Sequence, residues 1–358
     1  MAKRAVPKRL GQAVVMGFTL IALAGCPTIP PAPEPPPPTP VVVAPVEPIP
    51  VPKPQPTPDT QPIPTPPPVV APVAPPKQEP YPPMKAGDSL QYILIDGNKR
   101  AYRLHIPAAY TGSDALPLVV LLHMRGSSAQ SARLLGFNQK AETARFIVAY
   151  PEAIGQPRIW NAGHESNATK ANDVAYVTEM VAAIRRLMNI DARRIYIAGH
   201  SSGGMMAYRV AAELSPVVAA VSVIGASIGS RDANGAVQRV REPAQPVSVL
   251  HIHGRQDRTV PMAGGRSATL VGADYVSVRD TITFWTQANK CATTKPRIGP
   301  SGSVIRESYG ECAGGTTVEL LTLNSGGHEW PRAISIETRK VQNAADVMWD
   351  FFSAQVKR

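Results

Sequence analysis

Among its 358 residues the sequence has only three cysteines, Cys26, Cys291 and Cys312. Neither Cys291 nor Cys312 has a second cysteine or a histidine nearby, which argues against a thiolate metal centre. Long apolar runs are scarce too. The stretch "AVVMGFTLIALAG" near the start is too short to span a bilayer comfortably. Blocks of like charge are also missing. The net charge is +11, yet no basic run is longer than an arginine pair, so a solvated surface is expected and no nucleic-acid partner.

What is present begins with a leader. Lys3, Arg4, Lys8 and Arg9 precede the apolar run, so residues 1–25 read as a signal peptide. Its end, "LAGC", resembles the bacterial lipobox, which implies lipidation of Cys26 and an exported protein anchored to the cell envelope. Several acyl chains on one cysteine hold a protein to a membrane, whereas one binds marginally. Pro27, where the lipobox rule places aspartate for inner-membrane retention, implies outer-membrane sorting in a Gram-negative cell.

Most of the 39 prolines follow at once, in residues 26–83. This segment shows neither helical nor strand period, and polyproline II is its expected state, so it reads as a semi-rigid tether. Residues 84–358 are then long enough for one α/β domain. In an exported domain the pair Cys291 and Cys312 is expected to form a disulfide, worth roughly 3 kcal/mol in the chain-entropy model.

The domain opens with "LQYILIDGNKRAYRLHIP", alternating about Asp96-Gly97-Asn98, which predicts an antiparallel hairpin. The period then changes. "LPLVVLLHM", "RFIVAYP", "RRIYIAGH", "VVAAVSVIGAS" and "PVSVLHIHG" are nearly continuous apolar runs, as in strands covered on both faces. Between them, "DVAYVTEMVAAIRRLMN" carries apolar residues at threes and fours behind Asn172 or Asp173 as a cap, "GGMMAYRVAAEL" is a second helix, and "AADVMWDFFSAQ" closes the chain. The expected fold is α/β: a mostly parallel central sheet with an antiparallel N-terminal hairpin and helices on both faces.

Gly199-His200-Ser201-Ser202-Gly203 fits the pattern G-x-S-x-G between a buried strand and a helix. Such a corner forces the serine into a strained, exposed conformation, and the helix start behind it favours developing negative charge. A serine there needs a base and an orienting acid, in the chain order Ser, acid, His. Three histidines follow Ser201. His251 and His253 alternate with apolar residues inside a strand and read as packing residues, whereas His328 lies in the glycine-rich loop "NSGGHEWP" and is the expected base. Asp257, in the loop after "HIHG", is the expected acid. Asp274 and Asp280 are assigned to a helical region, Asp173 to a helix cap, and Glu329 points away along the chain.

Together, "PLVVLLH", "DVAYV", "RRIYIAGHSSGGMMA", "PVSVLHIHGRQDRTVP", the paired cysteines and "GGHEWP" resemble the polyhydroxybutyrate-depolymerase-type esterases, which are similar to feruloyl and acetylxylan esterases of the α/β-hydrolase fold. The likeness runs from about residue 90 to 352. It implies a carboxylic ester hydrolase with Ser201 as nucleophile, Asp257 as orienting acid and His328 as general base, working through an acyl-enzyme without metal or organic cofactor. It also implies an oxyanion hole from the N–H of Ser202 and of the Met124 to Arg125 segment, and places Trp160 and Trp330 near the substrate.

Two residues depart from the family pattern: Met124 stands where a glycine is usual, and Arg332 follows Trp330-Pro331 where a glycine is common. Backbone N–H groups serve an oxyanion hole whatever the side chain, so Met124 bears on efficiency and acyl size more than on reaction class. The expected partners are an ester substrate, whether a hydroxyalkanoate oligomer, a feruloylated or acetylated polysaccharide or a small ester, and a membrane through the lipid; a monomer is expected. Two other classes stay open, a peptidase of the same fold and a non-catalytic envelope-binding lipoprotein.

Overall fold

Asp96 and Gly97 both take positive φ, 49° and 76°, and turn the chain from β1 (Gly87–Ile95) into β2 (Asn98–Ile106). Positive φ at both central positions matches the twist of the two strands, which is why Asp-Gly suits this turn. The computed structural model describes residues 84–164, 169–292, 303–336 and 341–358. The leader, Cys26 and the proline-rich segment lie outside the described residues.

After the hairpin come β3 (Leu116–Leu122), a one-turn helix α1 (Ala129–Ala132), α2 (Phe137–Ala144), β4 (Ile147–Pro151), α3 (Asp173–Leu187), β5 (Ile190–His200), α4 (Ser202–Glu213) and β6 (Ala220–Ile224). Short strands β7 (Gly229–Arg231) and β8 (Val237–Arg239) precede β9 (Ser248–Gly254), and β10 (Gly265–Arg266) and β11 (Asp274–Tyr275) precede α5 (Val278–Ala288). The chain ends with β12 (Val304–Tyr309), β13 (Val318–Leu323) and α6 (Ala344–Ser353).

Nine strands form one sheet in the order β1-β2-β4-β3-β5-β6-β9-β13-β12. The six from β4 to β13 run parallel, flanked by the antiparallel hairpin and by antiparallel β12. Alternation along β3 shows how both faces are covered. Leu118, Val120 and Leu122 join one core with α3, α4 and α5, while Val119 and Leu121 join a second core with α2 and α6. In the second core Phe146 stacks on Trp349 at 4.0 Å and Tyr196 on Phe352 at 4.8 Å, so the last helix is clamped by aromatic faces.

Two local expectations need correction. Asn172, not Asp173, caps α3, its side chain accepting from the N–H of Ala175. Asp173 is buried inside the first turn, paired with Arg100 at 2.7 Å and accepting from the N–H of Asn161. Asp274 is not helical; it belongs to β11 in a small second sheet, β10-β11-β7-β8. Asp280 does lie in a helix, in the first turn of α5. The Cys291–Cys312 disulfide is formed, and it ties the end of α5 to the segment before β13.

Candidate active site

The β5–α4 corner puts Ser201 at φ 55° and ψ −124°. A non-glycine residue there is strained by about 1–3 kcal/mol and is held only by its surroundings. Those surroundings are glycines. A Cβ on Gly199 would lie 2.2 Å from the carbonyl oxygen of Gly203, and one on Gly203 would lie 2.3 Å from that of Leu122. The N–H of Ser201 donates to Ile224 at 2.9 Å, which fixes the corner against β6.

Two further loops meet Ser201 at the ends of parallel strands, where open α/β sheets place their sites. Asp257 follows β9, its Oδ1 accepting from the N–H groups of Thr259 and Val260, both at 2.8 Å. The loop after β13 crosses directly over Gly254, whose added Cβ would sit 2.2 Å from the Gly327 oxygen. That crossing brings His328 to Asp257. His328 Nδ1 lies 2.7 Å from Asp257 Oδ2, and Nε2 lies 2.8 Å from Ser201 Oγ. A carboxylate at Nδ1 requires the proton there, which leaves the Nε2 lone pair facing the serine hydroxyl. Gly225, at φ +55°, completes the approach: a Cβ would come within 3.1 Å of His328 Nδ1 and 3.2 Å of Asp257 Oδ2.

Burial alone would raise the carboxyl pKa of Asp257; the His328 hydrogen bond and charge, with the Val260 N–H, outweigh it and hold the group below its ordinary value. Behind the acid lies a line of buried polar groups. His253 Nε2–H donates to the Val260 carbonyl at 2.9 Å, His251 Nε2–H donates to His253 Nδ1 at 2.9 Å, and the Tyr208 hydroxyl donates to His251 Nδ1 at 2.6 Å. The carbonyl at one end fixes every direction. Burial lowers both histidine pKa values, so the chain is neutral and runs one way, ending beside Asp257, whose Oδ2 is 3.6 Å from His253 Nε2.

The expected oxyanion segment is anchored from below. His123 Nδ1–H donates to the Met124 carbonyl at 2.8 Å, its Nε2 accepts from the Ala153 N–H at 3.1 Å, and Ser127 N–H also reaches the Met124 oxygen at 3.1 Å. With the carbonyl turned inward, the N–H groups of Met124 and Arg125 have no acceptor among the described residues. The Met124 side chain is 40% exposed and so points outward. Ser202 opens α4 and is buried.

The two tryptophans separate. Trp160 is fully buried and its indole Nε1–H donates to the His123 carbonyl at 2.8 Å, so it supports the expected oxyanion segment from the core instead of lining a substrate surface. Trp330 is half-buried, with its ring 5.9 Å from His200 and 6.4 Å from Phe137. Glu329 is exposed and accepts from the Gly327 N–H. One contributor went unread in the sequence: His200 Nε2–H donates to the main-chain oxygen of His328 at 2.8 Å. Its position, before the serine and after an apolar strand, was the available signal.

Residues 100–279, half of the chain, match the family model described as Esterase PHB depolymerase. The chain belongs to this esterase family. It is a carboxylic ester hydrolase. Feruloyl esterase B of Piromyces equi is 30% identical over 62% of this chain, which spans only 41% of that longer protein. Feruloyl esterase C of Emericella nidulans is 27% identical over 72% of this chain and 85% of its own length. Among solved structures, the acetyl xylan esterase from Aspergillus awamori superposes with a TM-score of 0.51 at 13% identity, covering 74% of this chain and 99% of that one, a likeness of the α/β-hydrolase fold.

Proposed function

We propose that this esterase cleaves carboxylic esters through a Ser201–His328–Asp257 triad and an acyl-enzyme. The observation that carries the reading is His328 bridging Ser201 Oγ at 2.8 Å and Asp257 at 2.7 Å. His328 Nε2 takes the hydroxyl proton as Ser201 Oγ attacks the ester carbonyl, and Asp257 stabilises the imidazolium and fixes its tautomer. The oxyanion is received by the N–H of Ser202 and of the Met124–Arg125 segment, where each donor is worth about 10² to 10³ in rate. His328 then returns the proton to the leaving alcohol. Water enters and attacks the acyl-enzyme as it gives its proton to His328, which returns that proton to Ser201 Oγ as the acid is released. The relatives' names favour feruloyl or acetyl esters, and the family model a polyester; hydrolysis by this chain of one of these is the substrate reading.

The test is initial rates of the full chain on p-nitrophenyl acetate, p-nitrophenyl butyrate, methyl ferulate and a 3-hydroxybutyrate dimer, beside Ser201→Ala. Loss of activity in the variant supports the mechanism, and the preferred acyl group selects the substrate. Equal rates in both proteins would sink it. The disulfide fits an oxidising, extracytoplasmic compartment, and lipid attachment at Cys26 is part of the same proposal. Mass spectrometry of the mature N-terminus decides the attachment.

A further inference from the structure

A cavity of about 240 Å³ opens beside the oxyanion segment, with Arg125, His164, Arg231, Asp232, Asp274 and Tyr275 in its wall. Arg125 is the residue after Met124, so their Cα atoms are about 3.8 Å apart. The opposite wall comes from β7 and β11, and β7 begins four residues after Gly225, which touches His328 and Asp257. The cavity therefore adjoins the proposed oxyanion segment through Arg125.

Its polar groups are unequally matched. Asp232 Oδ1 already accepts from the N–H groups of Asn234 and Ala236. Asp274 Oδ1 lies 3.7 Å from Arg231, too far for a hydrogen bond, and is itself a buried acceptor without a hydrogen-bond partner among the described residues. Arg125 has no ion-pair partner among the described residues although it is half-buried. His164 is only 6% exposed, yet neither ring nitrogen has a hydrogen-bond partner among the described residues. Buried polar side chains without partners are rare, and a ligand that supplies the missing bonds accounts for them. Burial, with the nearby Arg209, lowers the His164 pKa to about 4, so at neutral pH the ring offers one N–H and no charge. The unmatched cation is Arg125.

We propose that this cavity is a carboxylate subsite: Arg125, assisted by His164, receives a free carboxylate on the part of the ester that does not react. A guanidinium presents two parallel donors to a carboxylate, and like-charge repulsion from Asp274 confines the anion to the Arg125 side. This inference rests on the ester-hydrolase reading and deepens it to esters that carry an acid.

Two matched pairs test it on the full chain. p-Nitrophenyl hemisuccinate against p-nitrophenyl butyrate places the charge on the acyl side, and 4-acetoxybenzoate against its methyl ester places it on the alcohol side. The expected result is a kcat/KM ratio, charged over neutral, of about tenfold or more in one pair. That ratio should collapse in Arg125→Gln and survive in part in Arg125→Lys. Each ratio is taken within one protein, so any loss of oxyanion stabilisation in the variants cancels. A second readout needs no turnover: calorimetric titration of Ser201→Ala with the favoured charged ester and its neutral counterpart, repeated in Ser201→Ala with Arg125→Gln. Tighter binding of the charged ester that disappears with Arg125 supports the subsite. Equal binding of the two, or a preference unchanged by Arg125→Gln, overturns it while leaving the esterase intact. Inertness of the unmodified chain toward all four esters would overturn the esterase reading, and the titration would still decide the subsite.

Discussion

His200 and His328 are joined side chain to main chain: the buried His200 ring donates from Nε2 to the His328 carbonyl oxygen at 2.8 Å, with the two ring centroids 5.3 Å apart. His200 thus immediately precedes the proposed nucleophile and holds the backbone of the proposed base. A small change in the placement of reacting groups is costly, about 100-fold for a displacement near 1 Å.

Replacing His200 with phenylalanine removes that donor and keeps the ring volume. The expected outcome is a kcat lowered by about 10- to 100-fold, with KM little changed, because substrate contacts remain while His328 loosens. His200→Gln retains a donor at a similar reach and should recover much of the rate. Steady-state kinetics on one good ester decide the matter; an unchanged kcat in His200→Phe would show that the bond does not position His328.

Acid should unfold the domain early. His123, His164, His200, His251 and His253 all have pKa values lowered by burial, to about 4 for His164 and His200. In the unfolded chain each binds its proton near pH 6.5. The unfolded state therefore takes up more protons as pH falls, so the stability these groups contribute is complete above pH 6.5 and is lost progressively toward pH 4. Urea midpoints measured from pH 8 to 4 should fall across that window. A flat profile between pH 6.5 and 4.5 would contradict the burial of these rings in the neutral form.

The line from Tyr208 through His251 and His253 to Val260 makes a separate prediction. Tyr208→Phe preserves the ring packing against Trp285, centroids 5.5 Å apart, but leaves His251 Nδ1 a buried acceptor without a donor. The expected loss is about 1–3 kcal/mol in stability, read as a lower urea midpoint with an unchanged m-value. His251→Phe in the same background should cost less than it does alone, since the partner it would strand is already gone. Additive losses would show that the line does not act as a unit.

Much of this was legible in the sequence because the signals were local. Asp96-Gly97 specified its turn, unbroken apolar runs specified the parallel strands, and the glycines around Ser201 specified the corner. His328 and Asp257 followed from the order of strands and loops. What escaped depended on contacts remote in sequence. Nothing within the polar, exposed stretch Val237–Arg239 marks it as a strand, since its pairing comes from β7. Asp173 looked like a cap because Arg100, 73 residues away, is invisible to local pattern. Strand β12 was missed for a similar reason, as its edge position is set by β13.

The two tryptophans give the sharpest contrast between support and contact. Trp160 meets the proposed oxyanion segment through His123, packing on its ring at 5.1 Å and donating to its carbonyl from a fully buried position, so Trp160→Phe should lower kcat on every ester by a similar factor without changing the order of preference. Trp330 is half-buried beside His200 and Phe137, next in the chain but one to His328, and is the residue proposed to meet an acyl or aryl group. Trp330→Ala should therefore change the ratio of kcat/KM between p-nitrophenyl acetate and methyl ferulate, the bulky aromatic acyl group losing more, by about 10-fold for a lost aromatic contact. Measuring both esters on both variants separates the roles, because a supporting residue scales all rates together and a contacting residue does not. A preference altered by Trp160→Phe and untouched by Trp330→Ala would reverse the assignment and place the substrate on the other side of the oxyanion segment.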